Sequence, residues 1–138
     1  PKYLNQMMRD CQNNDLVFAS RYLKDGGSDD DNWITLIGNK CFSFLGNLLF
    51  NLKLSDILYT YIVGKTHKVK ELELKYNDFR ICVEIPIRAK SKKLLFVSTP
   101  SMERKRIAGI KKVNAVKDGF LILTAIIYLF YKKIFDKN

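Results

Sequence analysis

The apolar positions of this chain change period along its length, and the changes predict an alternating order of helices and strands. Tyr3, Leu4, Met7, Met8 and Cys11 recur at helical spacing within 1–13, and Asp15 to Ser20 (DLVFAS) forms the short apolar run of a buried strand. A helix followed at once by such a strand predicts the later half of an alternating α/β domain, because a buried parallel strand needs neighbours that the remaining sequence hardly supplies. The Gly- and Asp-rich segment KDGGSDDDN, 24–32, interrupts the pattern, and Trp33 to Leu52 is then long, apolar and periodic enough for a helix. Leu54 to Val63 (LSDILYTYIV) reads as a compact turn with Asp56 among apolar and tyrosine side chains, and Val69 to Leu74 as one helical turn. Phe79 to Ala89 predicts another helix despite Pro86, which should kink it or mark a late start. Leu94 to Ser98 reads as a second short strand, and Phe120 to Tyr131 as an apolar helix. No internal repeat or low-complexity linker divides the chain, so its parts are a main body, 1–118, and a C-terminal apolar helical segment, 119–138.

Composition fits one ordinary core: 138 residues, 47% hydrophobic and 12% aromatic. The net charge of +10 narrows the partners to nucleic acid, anionic lipid or a phosphorylated small molecule, with a solvated basic face as the alternative. This charge is local. Between Arg88 and Lys117 stand ten Lys or Arg and one acid, Glu103. Within it, Arg104, Arg106, Lys111, Lys112 and Lys117 crowd a stretch that also holds Gly109 and leads into the apolar Phe120 to Tyr131. Such a loop suits a phosphate held beside an apolar surface.

Cys11, Cys41 and Cys82 are odd in number and far apart, and His67 is the only histidine, so neither a disulfide framework nor a zinc site has its ligands. Three reduced thiols in a cytosolic compartment are the expectation. Asp29 to Asp31 read as decoration of a loop and of the start of a helix, where they favour the helix dipole, rather than as a metal site. The longest charge-free run, Gly119 to Tyr131, would span about 20 Å as a helix against about 30 Å of hydrocarbon, too short to cross a bilayer.

In order, DLVFASRYLKDGGS, WITLIGNK, LSDILYTY, FRICVEIPIRAK and TPSMERKRIAGIKKVNAVKDG resemble the C-terminal half of a glycosyltransferase family 2 enzyme of the dolichol-phosphate mannose synthase and polyprenyl-phosphate sugar transferase type. The resemblance covers nearly the whole chain. It implies an α/β fold, the C-terminal part of a Rossmann-like, GT-A type domain with helices packed on a short, mostly parallel sheet. It implies transfer of a sugar from a nucleotide-diphosphate sugar donor to a polyprenyl or dolichyl phosphate, or to a glycan. In the family an Asp-x-Asp motif of the first half holds a divalent metal, Mg or Mn, with the donor diphosphate. No such motif ends an apolar strand here, so the donor half is expected to be absent, no metal is expected on this chain alone, and the chain alone is expected to be inactive.

The resemblance also assigns roles. Ser20, Arg21 and Tyr22 match a Ser-Arg-Tyr whose arginine sits near substrate phosphates; a structural ion pair is the alternative for Arg21. Gly26 and Gly27 match the glycines that follow, as a turn. Asp56 matches the aspartate of a Leu-Thr-Asp segment near the acceptor, with a role in the reaction or in orienting the turn. Thr60 stands where the family commonly has glycine. Glu84 matches the second acid of the acceptor-side helix, with Cys82 in place of the first; the alternative for Glu84 is a helix ion pair. Pro100, Ser101, Glu103, Arg104, Arg106, Gly109 and Asp118 match the family's basic loop and the opening of its last helix. Arg106 is the expected phosphate ligand, supported by Arg104, Lys111 and Lys112, while the serine that usually follows Gly109 is missing.

The implied location is cytoplasmic, peripheral at the cytosolic face of a membrane. Two noncatalytic readings compete. One is a nucleic-acid module, which the charge allows but no recognisable motif supports, so no specific nucleic-acid partner is expected. The other is a basic membrane-surface module using Phe120 to Tyr131 flanked by Lys117, Lys132 and Lys133.

Overall fold

A computed structural model describes residues 2–105, 107–108 and 114–135. Among these, helices α1 (Lys2–Asp10), α2 (Trp33–Phe50), α3 (Thr66–Glu71), α4 (Ile81–Ser91) and α5 (Ala115–Phe135) are interspersed with strands β1 (Leu16–Ser20), β2 (Gly27–Ser28), β3 (Ile62–Gly64), β4 (Phe96–Pro100) and β5 (Met102–Glu103), in the order α1 β1 β2 α2 β3 α3 α4 β4 β5 α5. The molecule is thus mixed α/β.

The central sheet has the order β3-β1-β4. β1 runs parallel to β4 over five pairs, Leu16 opposite Phe96 through Ser20 opposite Pro100, and antiparallel to β3, with Val17 opposite Val63. A parallel pair of two residues, β2 with β5, continues beyond the ends of β1 and β4. The expected mostly parallel sheet is therefore mixed, because the segment that follows Asp56 returns as an antiparallel edge strand. All five β1 residues are buried, and their alternation divides the core. Leu16 and Phe18 join Leu52, Leu72, Val83 and Ile126 in the main cluster, whereas Val17 and Ala19 meet Met7 of α1 on the other side. Thr99 Oγ1 donates to Asp10 Oδ2 at 2.7 Å and ties β4 to α1.

α2 begins at a capping box in which Asn32 and Thr35 satisfy one another's backbone, and ends at Asn51 in the left-handed region, φ 54°. Its inward positions are Asn39, Ser43, Gly46 and Phe50, more polar than its outward ones. The reason is local: Ser43 Oγ accepts from Ile57 N, and Asn47 both donates to Leu54 O and accepts from Leu54 N, so α2 holds the segment carrying Asp56 by hydrogen bonds. Gly46 admits Ile57, since a Cβ there would lie 2.6 Å from Ile57 Cδ1. α4 starts at Ile81, two residues later than the periodicity predicts, with Pro86 still inside it. α5 extends further in both directions than Phe120 to Tyr131 and packs on α2 and α4.

Candidate functional site

Arg21 leaves the carboxyl end of β1 and meets three acidic side chains. Nε donates to Asp56 Oδ2 at 2.7 Å and Nη2 to Asp56 Oδ1 at 3.0 Å, while the backbone N of Arg21 reaches Oδ2 at 3.2 Å. Nη1 donates to Glu103 Oε2 at 2.9 Å and, more weakly, to Asp31 Oδ1 at 3.5 Å. The guanidinium carbon stands 4.6 Å from the centre of the Tyr59 ring and 5.3 Å from that of Tyr22. Burial works against the charge of Arg21, but the bonds and charge of Asp56, followed by Glu103, outweigh it and raise the pKa above its ordinary value.

Each acid comes from a different segment. Asp56 is 1% exposed and lies on the loop that α2 holds. Glu103 ends β5 and accepts a second bond, from Ser28 Oγ of β2 at 2.7 Å. Asp31 precedes the N-cap of α2, and its Oδ2 accepts from the Tyr22 hydroxyl at 2.7 Å; that hydroxyl accepts from Asn39 Nδ2 at 2.8 Å. Burial, then the bond to Asp31, pushes the Tyr22 pKa up. Gly26 closes the turn beneath: a Cβ there would lie 2.8 Å from Ser20 O and 3.0 Å from Arg21 O, so only glycine lets the chain fold back under Arg21. The expected turn role of Gly26 matches this packing.

A cleft of about 300 Å³ opens over the cluster. Its polar groups include those of Arg21, Asp30, Asp31, Asn39 and Glu103, and its apolar surface includes Tyr59, Phe79 and Ile122. Glu103 reaches it with its side chain 29% exposed. The arrangement presents carboxylate acceptors, an amide and aromatic surface to a ligand rich in hydroxyl groups. It presents little free positive charge, since the donors of Arg21 point to carboxylates. Arg21 therefore occupies the ion-pair setting that was its alternative reading, and in this geometry it orients Asp56 and Glu103.

Asp56 directs both oxygens to Arg21 and does not line the cleft. Glu84 is 0% exposed and also lies outside it: Lys75 N, Tyr76 N and Arg88 Nε all donate to its carboxylate, the last at 2.7 Å. These bonds fix the 75–76 segment against α4 and include the helix ion pair that was the alternative reading of Glu84. Cys82 lines the cleft, but burial pushes its thiol up to about 12, so it is neither nucleophile nor base at neutral pH. Arg104 is exposed on the strand end that follows Glu103. Arg106, Gly109, Lys111 and Lys112 lie outside the described residues.

Sequence reading named Glu103 only within the basic-loop motif and Asp31 only as loop decoration, and gave neither of them, nor Tyr59, a place in the site. For Glu103 a signal exists, since it is the one acid inside a run of ten cations. The divalent metal that the resemblance implies finds no ligand set among the described residues, where no three His, Cys, Asp or Glu side chains group to hold an ion and two acids of the cleft, Asp31 and Glu103, turn to Arg21. Among the same residues no helix is long and apolar enough to cross a membrane.

The outward faces of two helices are apolar. On α2, Trp33, Ile34, Ile37, Phe44 and Leu48 fall on one exposed stripe, with Trp33 72% and Phe44 68% exposed. On α5, Val116, Phe120, Leu123, Ile127, Tyr131 and Ile134 follow one another at three- and four-residue steps on the side opposite the buried Ile122, Ala125, Ile126 and Leu129. The chain matches no protein-family model and no curated protein.

Proposed function

We propose that this chain is the acceptor-side half of a glycosyltransferase of family 2, with a Rossmann-like, GT-A type fold, moving a sugar from a nucleotide-diphosphate donor to a polyprenyl phosphate or other lipid-linked or glycan acceptor at a membrane surface. The observation that carries this reading is the place and lining of the cleft. It sits beyond the carboxyl ends of the parallel strands β1 and β4, where open α/β sheets bind ligands. Its acids, Asn39 and Tyr59 fit the hydroxyls and the ring face of a sugar. The two outward apolar stripes support the membrane part, because contiguous exposed apolar surface marks an interaction site and the chain leading into α5 is basic. Divalent metal chemistry belongs to the donor half in this reading.

Within the cleft, Glu103 is the carboxylate placed to accept a hydroxyl proton of the sugar or acceptor, and Arg21 and Ser28 fix its orientation. Asp56 acts through Arg21 as a positioning residue. Membranes carrying the full-length protein with Glu103→Gln should transfer sugar from the preferred nucleotide donor at least tenfold more slowly at a temperature well below the variant's melting point, which the weakened Arg21 pair lowers by a few degrees. Transfer at the parental rate would remove Glu103 from the mechanism. Tight vesicle binding with no transfer from any donor would instead favour a noncatalytic membrane-surface module.

A further inference from the structure

A second, larger cleft, about 590 Å³, shares no lining residue with the first. It lies where the C-terminal ends of α2, α4 and α5 meet. Phe50, Ile87 and Leu129 line its apolar part. Around them stand six cations: Arg88, Lys90, Lys92 and Lys93 from the end of α4 and the residues just after it, and Lys132 and Lys133 from the last turn of α5. Among the described residues no carboxylate lines this cleft.

Part of the positive charge answers the chain itself. Arg88 pairs with Glu84, Lys92 with the exposed Glu73, and Lys133 Nζ donates to Leu49 O at 2.9 Å while resting 5.4 Å from the Phe50 ring. These contacts, and the three helix C-termini, account for some of the lysines. Among the described residues, Lys90 and Lys93 add positive charge beyond the pairs with Glu84 and Glu73, and helix dipoles give no reason for an apolar hollow between these cations. Cations surrounding a hollow of this size fit one ligand chemistry, a phosphate group joined to an apolar body. Inorganic phosphate would leave the hollow unfilled. The outward stripe of α5 reaches the same last turn through Tyr131 and Ile134, which puts lipid within reach of Lys132 and Lys133.

We infer that this cleft is a binding site for an anionic phospholipid, with the phosphate among the lysines and the glycerol and proximal acyl carbons on Phe50, Ile87 and Leu129. It is separate from the sugar cleft and does not depend on the transferase reading. The test is a titration of the isotopically labelled chain with monomeric dihexanoyl phosphatidic acid, following the amide signals of Ser91, Lys92 and Lys93, beside parallel titrations with dihexanoyl phosphatidylcholine and with inorganic phosphate. Saturable shifts of these amides with phosphatidic acid, at least tenfold weaker with each comparison compound, support the site. A triple variant Lys90→Gln, Lys92→Gln, Lys93→Gln should weaken phosphatidic acid at least tenfold while keeping the parental melting temperature, since Lys92 and Lys93 are exposed and Lys90 half-buried. Equal binding of inorganic phosphate, equal binding of phosphatidylcholine, no saturable shift, or unchanged affinity of a folded triple variant would each overturn the assignment.

Discussion

Replacing Asp56 by Ala tests the role of the Arg21 cluster in ordering the site. The substitution removes two side-chain bonds to the guanidinium, at 2.7 and 3.0 Å, and one to the backbone N of Arg21 at 3.2 Å. It leaves a cation only 8% exposed without its main partner. Breaking a buried pair in this way typically costs about 3–5 kcal/mol. Glu103 remains 2.9 Å from Nη1 and keeps part of the charge neutralised, so the lower end applies, about 3 kcal/mol. For a domain of this size that corresponds to a fall in melting temperature of about 10 °C. Urea unfolding followed by circular dichroism gives the free energy, and a double-mutant cycle with Arg21→Met isolates the pair, with an expected coupling of about 2 kcal/mol. Asp29→Ala, on the acidic loop that carries Asp31 but outside the cluster, should change stability by less than about 0.5 kcal/mol. A loss below about 1 kcal/mol for Asp56→Ala at unchanged denaturant dependence, or a coupling near zero, would refute the view that this ion pair organises the site.

Three further predictions follow from the buried groups and one from the exposed stripe. Glu84→Gln should lower stability by about 2 kcal/mol, since the Arg88 pair loses its charge, and thermal melts would show this; a variant that melts normally yet loses transfer would restore Glu84 to the reaction. Burial raises the pKa of Tyr22, Tyr59 and Tyr76 above the ordinary 10.0, so the unfolded chain releases these protons first. Stability should therefore be intact below pH 10 and fall as pH rises above it, with Tyr22→Phe flattening the decline in alkaline urea titrations. Iodoacetamide at pH 8 should label the exposed Cys41 within minutes and leave Cys82 unmodified until the chain is unfolded, as peptide mapping would show. Trp33 is the only tryptophan, so its emission should shift to the blue on anionic vesicles, and Phe44→Ser with Ile37→Ser should weaken that binding at least fivefold without lowering stability.

The main elements were legible because they obey simple periods. Leu16 to Ala19 is a continuous apolar run, and Trp33 to Phe50 keeps its helical spacing, so existence and type follow directly. Three strands were not legible. β2 and β5 are two residues each, defined by pairing across about 75 residues of sequence, and β3 is an edge strand whose Gly64 breaks the apolar run. The helical pattern of α2 also hides which face turns inward, because its buried side carries Asn39 and Ser43 and its apolar side faces out. Only the hydrogen bonds to Tyr22 and to the Asp56 segment reveal that orientation. At the site, Arg21 and Asp56 were visible as residues, but that they pair with each other, and that Glu103 completes the cluster, depends on contacts between segments 35 and 82 positions apart.

The most direct measurement of the central claim is the chemistry of the product. Membranes carrying the wild-type full-length protein are incubated with a panel of radiolabelled nucleotide-diphosphate sugars, and the label is partitioned between aqueous, glycan and organic-solvent fractions. Label from one donor is expected in the organic fraction or on a glycan, strongly reduced by Glu103→Gln. If no donor in the panel labels any fraction above membranes lacking the protein, the cleft does not serve sugar transfer and the claim is contradicted.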